Sequence, residues 1–305
     1  MGAAVAVGPL TQEQQYQATL AREFNMLTPT MAMKFSVVHP ARSQYMFGDA
    51  DDVVMFAEAR AIQVLGHTLV WHDSLPAWVT RGAFSRQQWR DILRDHVSTV
   101  VRRYRGRVAA WGVVNEAISD DGSLRDTIWL RNIGPEYIDL AFRWAHEADP
   151  DAQLFYNDYG GEGMGLKSDA IYAMLKGMLE RGVPVNGVGL EMHVASDGYP
   201  RPQDVAANIK RLGALGLQAN ISEMDVRIEG EVTPGKLAAQ AAVYGEMLRA
   251  GLSNANFKSF VTWGVTDRYH YVPDSFRGWG SGLIFDSSYH PKPAYEAIRG
   301  VLGGY

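Results

Sequence analysis

The sequence predicts an α/β protein that folds as a single (β/α)8 TIM barrel over residues 1–305. Two observations support this fold class. Short apolar runs alternate with amphipathic stretches from one end of the chain to the other, which is typical of repeated βα units. No linker, charge block or low-complexity segment interrupts the alternation. Eight such units in about 300 residues match one barrel.

Eight apolar runs are predicted to form the barrel strands. They are residues Ala3–Val7, Phe24–Leu27, Gln63–Val70, Ala109–Val114, Gln153–Asn157, Gly187–Leu190, Gln218–Ser222 and Ser259–Trp263. An open, doubly wound sheet is the alternative arrangement of the same units. It would usually carry a glycine-rich phosphate loop after the first strand, and residues 2–8 do not match one.

Helix signals fall between these runs. Ser85 and Gln88 form a predicted capping box ahead of a helically spaced apolar series. Pro135 is predicted at the first position of another helix, and Thr233-Pro234 opens a third. Two further glycines are predicted stops: Gly182 and Gly251.

Composition excludes several classes of function. The net charge of −5 leaves no basic stripe for phosphates, so nucleic acid is not an expected partner. The absence of cysteine excludes disulfides, thiolate metal sites and a cysteine nucleophile. No run of 18 apolar residues is present, so no membrane-spanning segment is expected. The first ten residues lack the basic region of an intact signal peptide.

Polar clusters follow the predicted strands at the point where each apolar run stops. Asn115-Glu116 and Glu223-Met224-Asp225 each end such a run, and Glu191-Met192-His193 ends another. The carboxyl ends of barrel strands meet at one rim, where barrel enzymes place their active sites. We therefore expect these side chains to surround one site.

Two carboxyl groups at such a rim are the groups that a retaining glycosidase uses for catalysis. One carboxyl group, kept protonated, donates a proton to the leaving oxygen, while the other attacks the anomeric carbon. Repulsion between the two charges raises the pKa of the acid. Glu116 and Glu223 follow the fourth and seventh predicted strands, which face each other across the barrel mouth, so they are the candidate pair.

At this point a family resemblance becomes specific. The chain resembles glycoside hydrolase family 10, the family of endo-1,4-β-xylanases, through motifs that occur in family order and cover nearly the whole sequence. These motifs are EFNMLTP (23–29), MK (33–34), GHTLVWH (66–72), WGVVNEA (111–117), GSLRDT (122–127), LFYNDY (154–159), GVGLEMHV (187–194), ISEMDVR (221–227), TWGVTDRY (262–269) and GLIFDSSYHPKPAY (282–295).

The resemblance implies a role for individual positions. It implies Glu116 as acid/base and Glu223 as nucleophile, with Asn157 and Asp225 supporting the acid/base and His193 respectively. It also implies a set of substrate-binding residues, namely Lys34, His67, Trp71, Asn115, Tyr159, Glu191, His193, Trp263 and Trp279. In contrast, we interpret His72 and His146 as structural, and Trp89 and Trp144 as packing residues of helices.

The chain departs from the family pattern at four positions. Thr30 and Met31 replace a Glu-Asn pair that normally binds sugar hydroxyls, and a methionine cannot supply the hydrogen bonds of an amide. Glu191 replaces a glutamine, which adds a third carboxylate near Glu223. Gly112 replaces an aspartate. These departures leave both catalytic glutamates in place, so the type of reaction is easier to predict than the identity of the sugar substrate.

The predicted activity is retaining hydrolysis of β-1,4-xylosidic bonds in xylan or xylo-oligosaccharides by a monomer that needs no metal or other cofactor. Two alternatives keep the same fold: a β-glycosidase with altered glycone specificity, and a catalytically weakened glycan-binding relative. A metal-dependent barrel hydrolase is a further alternative, but the first predicted strand offers no ligand. The resemblance implies secretion, and a cytoplasmic location remains an alternative.

Overall fold

The computed structural model describes residues 1–304, and the predicted strands close into a parallel barrel. The strands of the structure are β1 (Gly2–Val5), β2 (Met26–Pro29), β3 (Gln63–Val70), β4 (Ala110–Asn115), β5 (Gln153–Asp158), β6 (Gly187–Leu190), β7 (His193–Ala195), β8 (Gln218–Glu229), β9 (Phe257–Thr262) and β10 (Trp279–Gly280). The barrel order is β1-β2-β3-β4-β5-β6-β8-β9. Pairing of Gly2 with Val261 and of Ala3 with Thr262 closes it. The (β/α)8 prediction is confirmed.

Helices follow the strands and cover the outside of the barrel. They are α1 (Val7–Gln12), α2 (Gln14–Glu23), α3 (Phe35–Val38), α4 (Gly48–Glu58), α5 (Ala77–Thr80), α6 (Arg86–Arg103), α7 (Ile128–Ile133), α8 (Tyr137–Ala148), α9 (Leu166–Glu180), α10 (Pro202–Ala214), α11 (Pro234–Leu252), α12 (Val272–Ser275) and α13 (Pro293–Leu302), with a 3-10 turn at Asp267–Tyr269. Within residues 1–304, none of these helices combines the length and apolar character needed to cross a membrane.

The hydrophobic core lies mainly between the barrel and its helices. The barrel interior itself is closed at the amino ends of the strands by a small separate cluster of Leu65, Ala110 and Phe155, with Met26 packed against it. Polar residues occupy the opposite, carboxyl end of the interior. Burial of the apolar floor therefore leaves one end of the barrel for a site.

Two short strands lie outside the closed barrel and lengthen one wall of its mouth. Residues of β7 pair in parallel with β8 beyond the barrel, and β10 pairs antiparallel with the last residues of β8. As a result β8 runs for 12 residues and continues past the barrel rim. Glu223 therefore lies inside a long strand, and not at a strand end as predicted.

Several helix predictions are confirmed and others are displaced. The Ser85–Gln88 capping box is present, and Thr233 caps α11 by accepting from the Lys236 N–H, with Pro234 in the first turn. Pro135 is not at the first helical position, because a turn between Gly134 and Tyr137 precedes α8.

The two glycine stops differ in outcome. Gly182 adopts a left-handed φ of 64° just after α9, as a helix stop requires. In contrast, α11 passes through Gly251 and ends one residue later.

Candidate active site

A cleft of about 720 Å³ opens at the carboxyl ends of the barrel strands. Its lining combines acidic and histidine side chains with aromatic faces, which is the composition expected for a site that binds and cleaves a sugar chain. Of the predicted residues, those that line it are Lys34, His67, Trp71, Asn115, Glu116, Tyr159, Glu191, His193, Glu223 and Trp263. Asn157 and Asp225 are buried beneath this lining.

Glu116 follows the last residue of β4 with a left-handed φ of 53°, which is uncommon for a residue other than glycine. Its backbone carbonyl accepts a hydrogen bond from Arg125 Nε at 2.7 Å, which fixes the chain at this point. One carboxylate oxygen accepts from Asn115 Nδ2 at 3.2 Å, and the other lies 3.8 Å from His72 Nε2. The backbone conformation thus directs the carboxyl group into the cleft.

The surroundings of Glu116 favour its protonated form. Burial raises the pKa of this carboxyl group, and the negative charges of Asp158 and Glu223 raise it further. Burial together with the nearby Arg125 charge lowers the pKa of His72, which favours its neutral form. Glu116 is therefore suited to donate a proton.

Glu223 is nearly fully buried and is surrounded by donors. One carboxylate oxygen accepts from Asn157 Nδ2 at 2.8 Å and lies 3.6 Å from His67 Nε2. The other lies 3.3 Å from His193 Nε2. A carboxylate held in this way has its lone pairs oriented and its rotamer fixed, which is what a nucleophile needs.

The charges around Glu223 favour its ionised form. Burial alone would raise the pKa of this carboxyl group, but interactions with His67, His193 and Lys34 outweigh burial and lower it. Burial lowers the pKa of His67 to about 4, so its charge acts on Glu223 only in acid, and His67 is neutral near pH 7. The positive charges at the site are therefore those of His193 and Lys34.

A buried carboxylate stabilises the positive charge of His193. Asp225 Oδ2 lies 2.8 Å from His193 Nδ1, and the hydroxyl of Tyr271 lies 3.3 Å from the same nitrogen. Burial would lower the pKa of His193, but Asp225 and Glu223 raise it well above its usual value. The charge on His193 lowers the pKa of Asp225 to about 2 against the effect of burial. Asp225 thus orients and charges the imidazole beside Glu223.

Two asparagines link the glutamates. Asn157 Nδ2 lies 2.8 Å from Asn115 Oδ1, and Asn115 Nδ2 in turn donates to Glu116. Ser222 Oγ donates to Asn157 Oδ1 at 2.6 Å, which fixes the orientation of this amide. A continuous chain of hydrogen bonds therefore joins Glu116 to Glu223 through Asn115 and Asn157.

Glu191 adds a third carboxyl group to this network. Its Oε1 lies 3.0 Å from Asn157 Nδ2, and its Oε2 lies 3.7 Å from His193 Nε2. Burial raises the pKa of Glu191 well above its usual value, and the charges of Glu223 and Glu116 raise it further. These effects favour the protonated form of Glu191, which has no charge and is similar in size to a glutamine.

The same group has the spacing of a metal site. Glu191, His193 and Glu223 each present one ligand atom, and these atoms lie within 4.8 Å of one another. However, the nearby carboxylates of Asp225 and Glu223 raise the pKa of His193, so a metal at its Nε2 would have to displace a proton that is stabilised there. We therefore assign this cluster to hydrogen bonding and charge balance.

Aromatic side chains form the walls of the cleft. Lys34 Nζ lies 4.2 Å from the ring centroid of Trp71, and Trp263 stands edge-on to His67 with centroids 5.5 Å apart. Tyr159 is fixed by a 3.0 Å hydrogen bond from Arg125 to its hydroxyl. Trp279 is not among the lining residues; it lies at the rim, in β10.

The residues that depart from the family pattern can be described by what they contact in the structure. Thr30 lines the cleft, and its Oγ1 donates to the Val5 carbonyl at 3.2 Å, so the hydroxyl hydrogen is not available to a ligand. Met31 also lines the cleft and is 48% exposed. A Cβ atom at Gly112 would lie 3.2 Å from His67 Nδ1, so a larger residue there would press on this ring.

Sequence reasoning did not identify three residues of the site. His72, interpreted as structural, faces Glu116, and the strand-end position after Trp71 was a signal for it. Glu162 lines the cleft and accepts from the N–H groups of Gly160 and Met192. Tyr271 reaches His193 from a segment 78 residues away, and no local pattern indicates that contact.

Comparisons with known proteins agree with this geometry. Residues 1–301 match the model described as "Glycosyl hydrolase family 10". "Endo-1,4-beta-xylanase B" of Thermotoga neapolitana is 45% identical over 294 residues, which cover 96% of this chain and 85% of that protein.

Two solved structures are similar in fold and sequence. Native xylanase 10B from Thermotoga maritima is 44% identical with a TM-score of 0.96, covering 100% of this chain and 94% of that one. Xylanase 10B from Thermotoga petrophila RKU-1, solved in complex with xylobiose, is also 44% identical with a TM-score of 0.96, covering 100% and 93%. By its sequence and its fold, the chain belongs to glycosyl hydrolase family 10.

Proposed function

We propose that the protein is a retaining endo-1,4-β-xylanase in which Glu116 is the acid/base and Glu223 the nucleophile. The observation that carries this proposal is the opposed electrostatics of two linked glutamates in one cleft. The surroundings of Glu116 raise its pKa and favour its protonated form, whereas the surroundings of Glu223 lower its pKa and favour its ionised form. This is the division of roles that retaining hydrolysis requires.

In the first step, Glu223 attacks the anomeric carbon while Glu116 gives its proton to the leaving glycosidic oxygen. The glycosidic bond breaks, and an ester bond forms between Glu223 and the sugar. His193 Nε2 lies 3.3 Å from one oxygen of Glu223, and the charge of Lys34 also stabilises the free carboxylate. The hydrogen bond from Asn157 holds Glu223 in its attacking rotamer.

In the second step, Glu116, now ionised, removes a proton from water as the water attacks the anomeric carbon. The ester bond breaks, Glu223 is released as a carboxylate, and Glu116 regains its proton. Ester formation removes the negative charge of Glu223, which is one of the charges that raise the pKa of Glu116, so Glu116 can be ionised at this stage and act as a base.

Xylan and xylo-oligosaccharides are the proposed substrates. The support is the named activity of the relatives and the xylobiose complex of the Thermotoga petrophila enzyme. Thr30 already donates its hydroxyl hydrogen to Val5 and Met31 offers only a thioether, so we expect weaker binding of the glycone, shown as a higher KM. The intact network around Glu223 argues against a glycan-binding relative without activity.

The stereochemistry of the product tests the mechanism. Proton NMR of xylotetraose cleavage should show the β-anomer of the new reducing end first, because two inversions give net retention. Glu116→Ala should slow cleavage of unactivated xylo-oligosaccharides by about 10²–10⁴-fold and affect substrates with a good leaving group much less. First appearance of the α-anomer, or an equal loss on both substrates, would contradict the proposal.

A chelator provides the control for a metal-dependent mechanism. Because the proposed mechanism uses two carboxyl groups and no metal, activity should be unchanged after incubation with EDTA. Loss of activity that added Zn²⁺ restores would support the metal-dependent alternative.

A further inference from the structure

A half-buried arginine lies in the wall of the cleft without a protein partner for its charge. Arg227 belongs to the part of β8 that continues past the barrel, four residues after Glu223, and it lines the cleft. Within residues 1–304, no carboxylate oxygen lies within 4.0 Å of its guanidinium nitrogens, and no hydrogen bond from its side chain is formed. Its five N–H donors are therefore free.

Two aromatic rings hold this guanidinium in place. Its Cζ atom lies 4.7 Å from the ring centroid of Phe276 and 5.2 Å from that of Trp279. Contacts between a guanidinium and aromatic faces occupy the flat sides of the group and leave its hydrogen-bonding edge free. The antiparallel pairing of β10 with β8 sets Trp279 at this position. The charge is thus fixed in advance of any ligand.

Arg227 is not needed to balance the carboxylates of the site. Asp225, two residues earlier on β8, already contacts His193 at 2.8 Å and His270 at 3.5 Å. Glu223 is balanced by His193 and Lys34, as described above. A cation held on aromatic faces at the wall of the cleft is therefore available to a ligand in the cleft.

The chemistry of this group points to one class of ligand. A neutral sugar hydroxyl would use a single donor, whereas a carboxylate matches the planar fork of a guanidinium with two parallel hydrogen bonds. Xylan can carry carboxylates on uronic acid side groups. Resting on the proposed xylanase function, we infer that Arg227 is a specificity-determining residue that binds the carboxylate of a uronic acid substituent on the substrate.

A matched pair of polymers tests this inference. One is xylan carrying glucuronic acid side groups, and the other is the same polymer after reduction of its carboxyl groups to primary alcohols. The readout is the ratio of kcat/KM on the acidic polymer to that on the reduced polymer. The wild type should prefer the acidic form by about tenfold, and 0.5 M salt should reduce this preference.

Three variants distinguish charge recognition from general damage. Arg227→Gln should bring the ratio to within about twofold of unity, and Arg227→Lys should give an intermediate ratio because it keeps the charge without the planar fork. Arg94→Gln removes the same charge from an exposed position on α6 and should keep the wild-type ratio. Since each ratio is internal to one variant, a partial loss of folded protein does not change it.

The outcomes separate the inference from the function on which it rests. Cleavage of both polymers by the wild type at equal kcat/KM, or an unchanged preference in Arg227→Gln, would overturn the role of Arg227 alone. Failure of the wild type to cleave either polymer or unsubstituted xylan would overturn the proposed function.

Discussion

At the scale of single residues, the side-chain amide of Asn157 has fewer hydrogens than there are hydrogen-bond acceptors around it. Its Nδ2 lies within 3.0 Å of three acceptors, on Asn115, Glu191 and Glu223, but an amide nitrogen carries only two hydrogens. An amide nitrogen cannot accept a hydrogen bond, so at most two of these contacts are hydrogen bonds and one of the three acceptors receives no hydrogen from Asn157. Protonation of Glu191 removes its negative charge and so lowers the cost of leaving that carboxyl group without this donor.

The pH dependence of stability tests this protonation of Glu191. Folding raises the pKa of this buried carboxyl group above its unfolded value of about 4.3. Below that pH, Glu191 is protonated in both the folded and the unfolded state and does not lower the free energy of unfolding. As the pH rises toward the folded-state pKa, the free energy of unfolding falls, because the unfolded state loses this proton more readily than the folded state does. The free energy of unfolding of Glu191→Gln should match that of the wild type near pH 4 and exceed it increasingly up to pH 8.

The size of the effect is at most about 1.4 kcal/mol per pH unit for one proton. Urea unfolding at pH 4, 6 and 8 measures it. Glu147→Gln, which changes an exposed glutamate of α8, is the matched control and should not show this trend. A constant difference between Glu191→Gln and the wild type at all three pH values would show that Glu191 is ionised in the folded protein.

The link between the glutamates is also testable at a single residue. Asn157→Ala removes a hydrogen bond from the ionised form of Glu223, so its pKa should rise and the acid limb of kcat/KM should move to higher pH. The loss in kcat should be about 10–100-fold, as expected for one hydrogen bond to a charged group. A simple loss of folded protein would lower the rate but leave the acid limb in place.

At the scale of elements, the interiors of the strands were more predictable than their ends. The predicted runs Gln63–Val70 and Gly187–Leu190 match β3 and β6, because a strand buried on both faces is mainly apolar and stands out from its neighbours in the sequence. The second strand begins two residues later than predicted, because the N–H of Phe24 instead bonds Leu20 at the end of α2. The ends of the strands therefore depend on whether a backbone group forms its hydrogen bond in the strand or in the neighbouring helix.

The length of β8 could not be predicted from its own residues. Its extension past the rim depends on pairing with β7 and β10, and β10 lies about 50 residues further along the chain. That extension places Arg227 in the cleft wall and Glu223 in mid-strand. Apolar periodicity reports burial along one strand, but it does not report which distant segment pairs with that strand.

A glycine in β6 shows how one element makes room for another. A Cβ atom at Gly189 would lie 2.0 Å from Asn157 Oδ1 and 2.9 Å from Ser222 Oγ. Gly189→Ala should therefore displace the Asn157 amide, reduce kcat at least tenfold and destabilise the fold by about 1–3 kcal/mol. Gly235→Ala in α11 is the control, because nothing lies within 4 Å of its Cβ position. Wild-type activity in Gly189→Ala would contradict the role of the network.

At the scale of the whole molecule, the family motifs predicted most of the site because they mark strand ends that the barrel brings together. Of the predicted substrate-binding residues, Trp279 alone is absent from the cleft lining. Its position depends on the segment between β9 and α13, in which the apolar residues show no regular helix or strand spacing. His72 and Tyr271 were missed for a related reason, since their contacts are made only when distant segments meet.

The closed barrel also explains why two glutamates 107 positions apart in the sequence act together. Strands β4 and β8 present Glu116 and Glu223 to the same cleft, and β5 supplies the Asn157 that links them. The opposed pKa shifts of the two glutamates predict a bell-shaped pH profile, with Glu223 responsible for the acid limb and Glu116 for the alkaline limb.

The central claim is that Glu223 forms the covalent bond to the sugar. Incubation with an activated 2-fluoro xylobioside should trap this intermediate, because the fluorine slows its hydrolysis. Intact mass spectrometry should then show one added 2-fluoro-xylobiosyl group, and peptide mapping should place it on Glu223. The absence of an adduct in active enzyme, or an adduct on Glu116 or Glu191, would contradict the account.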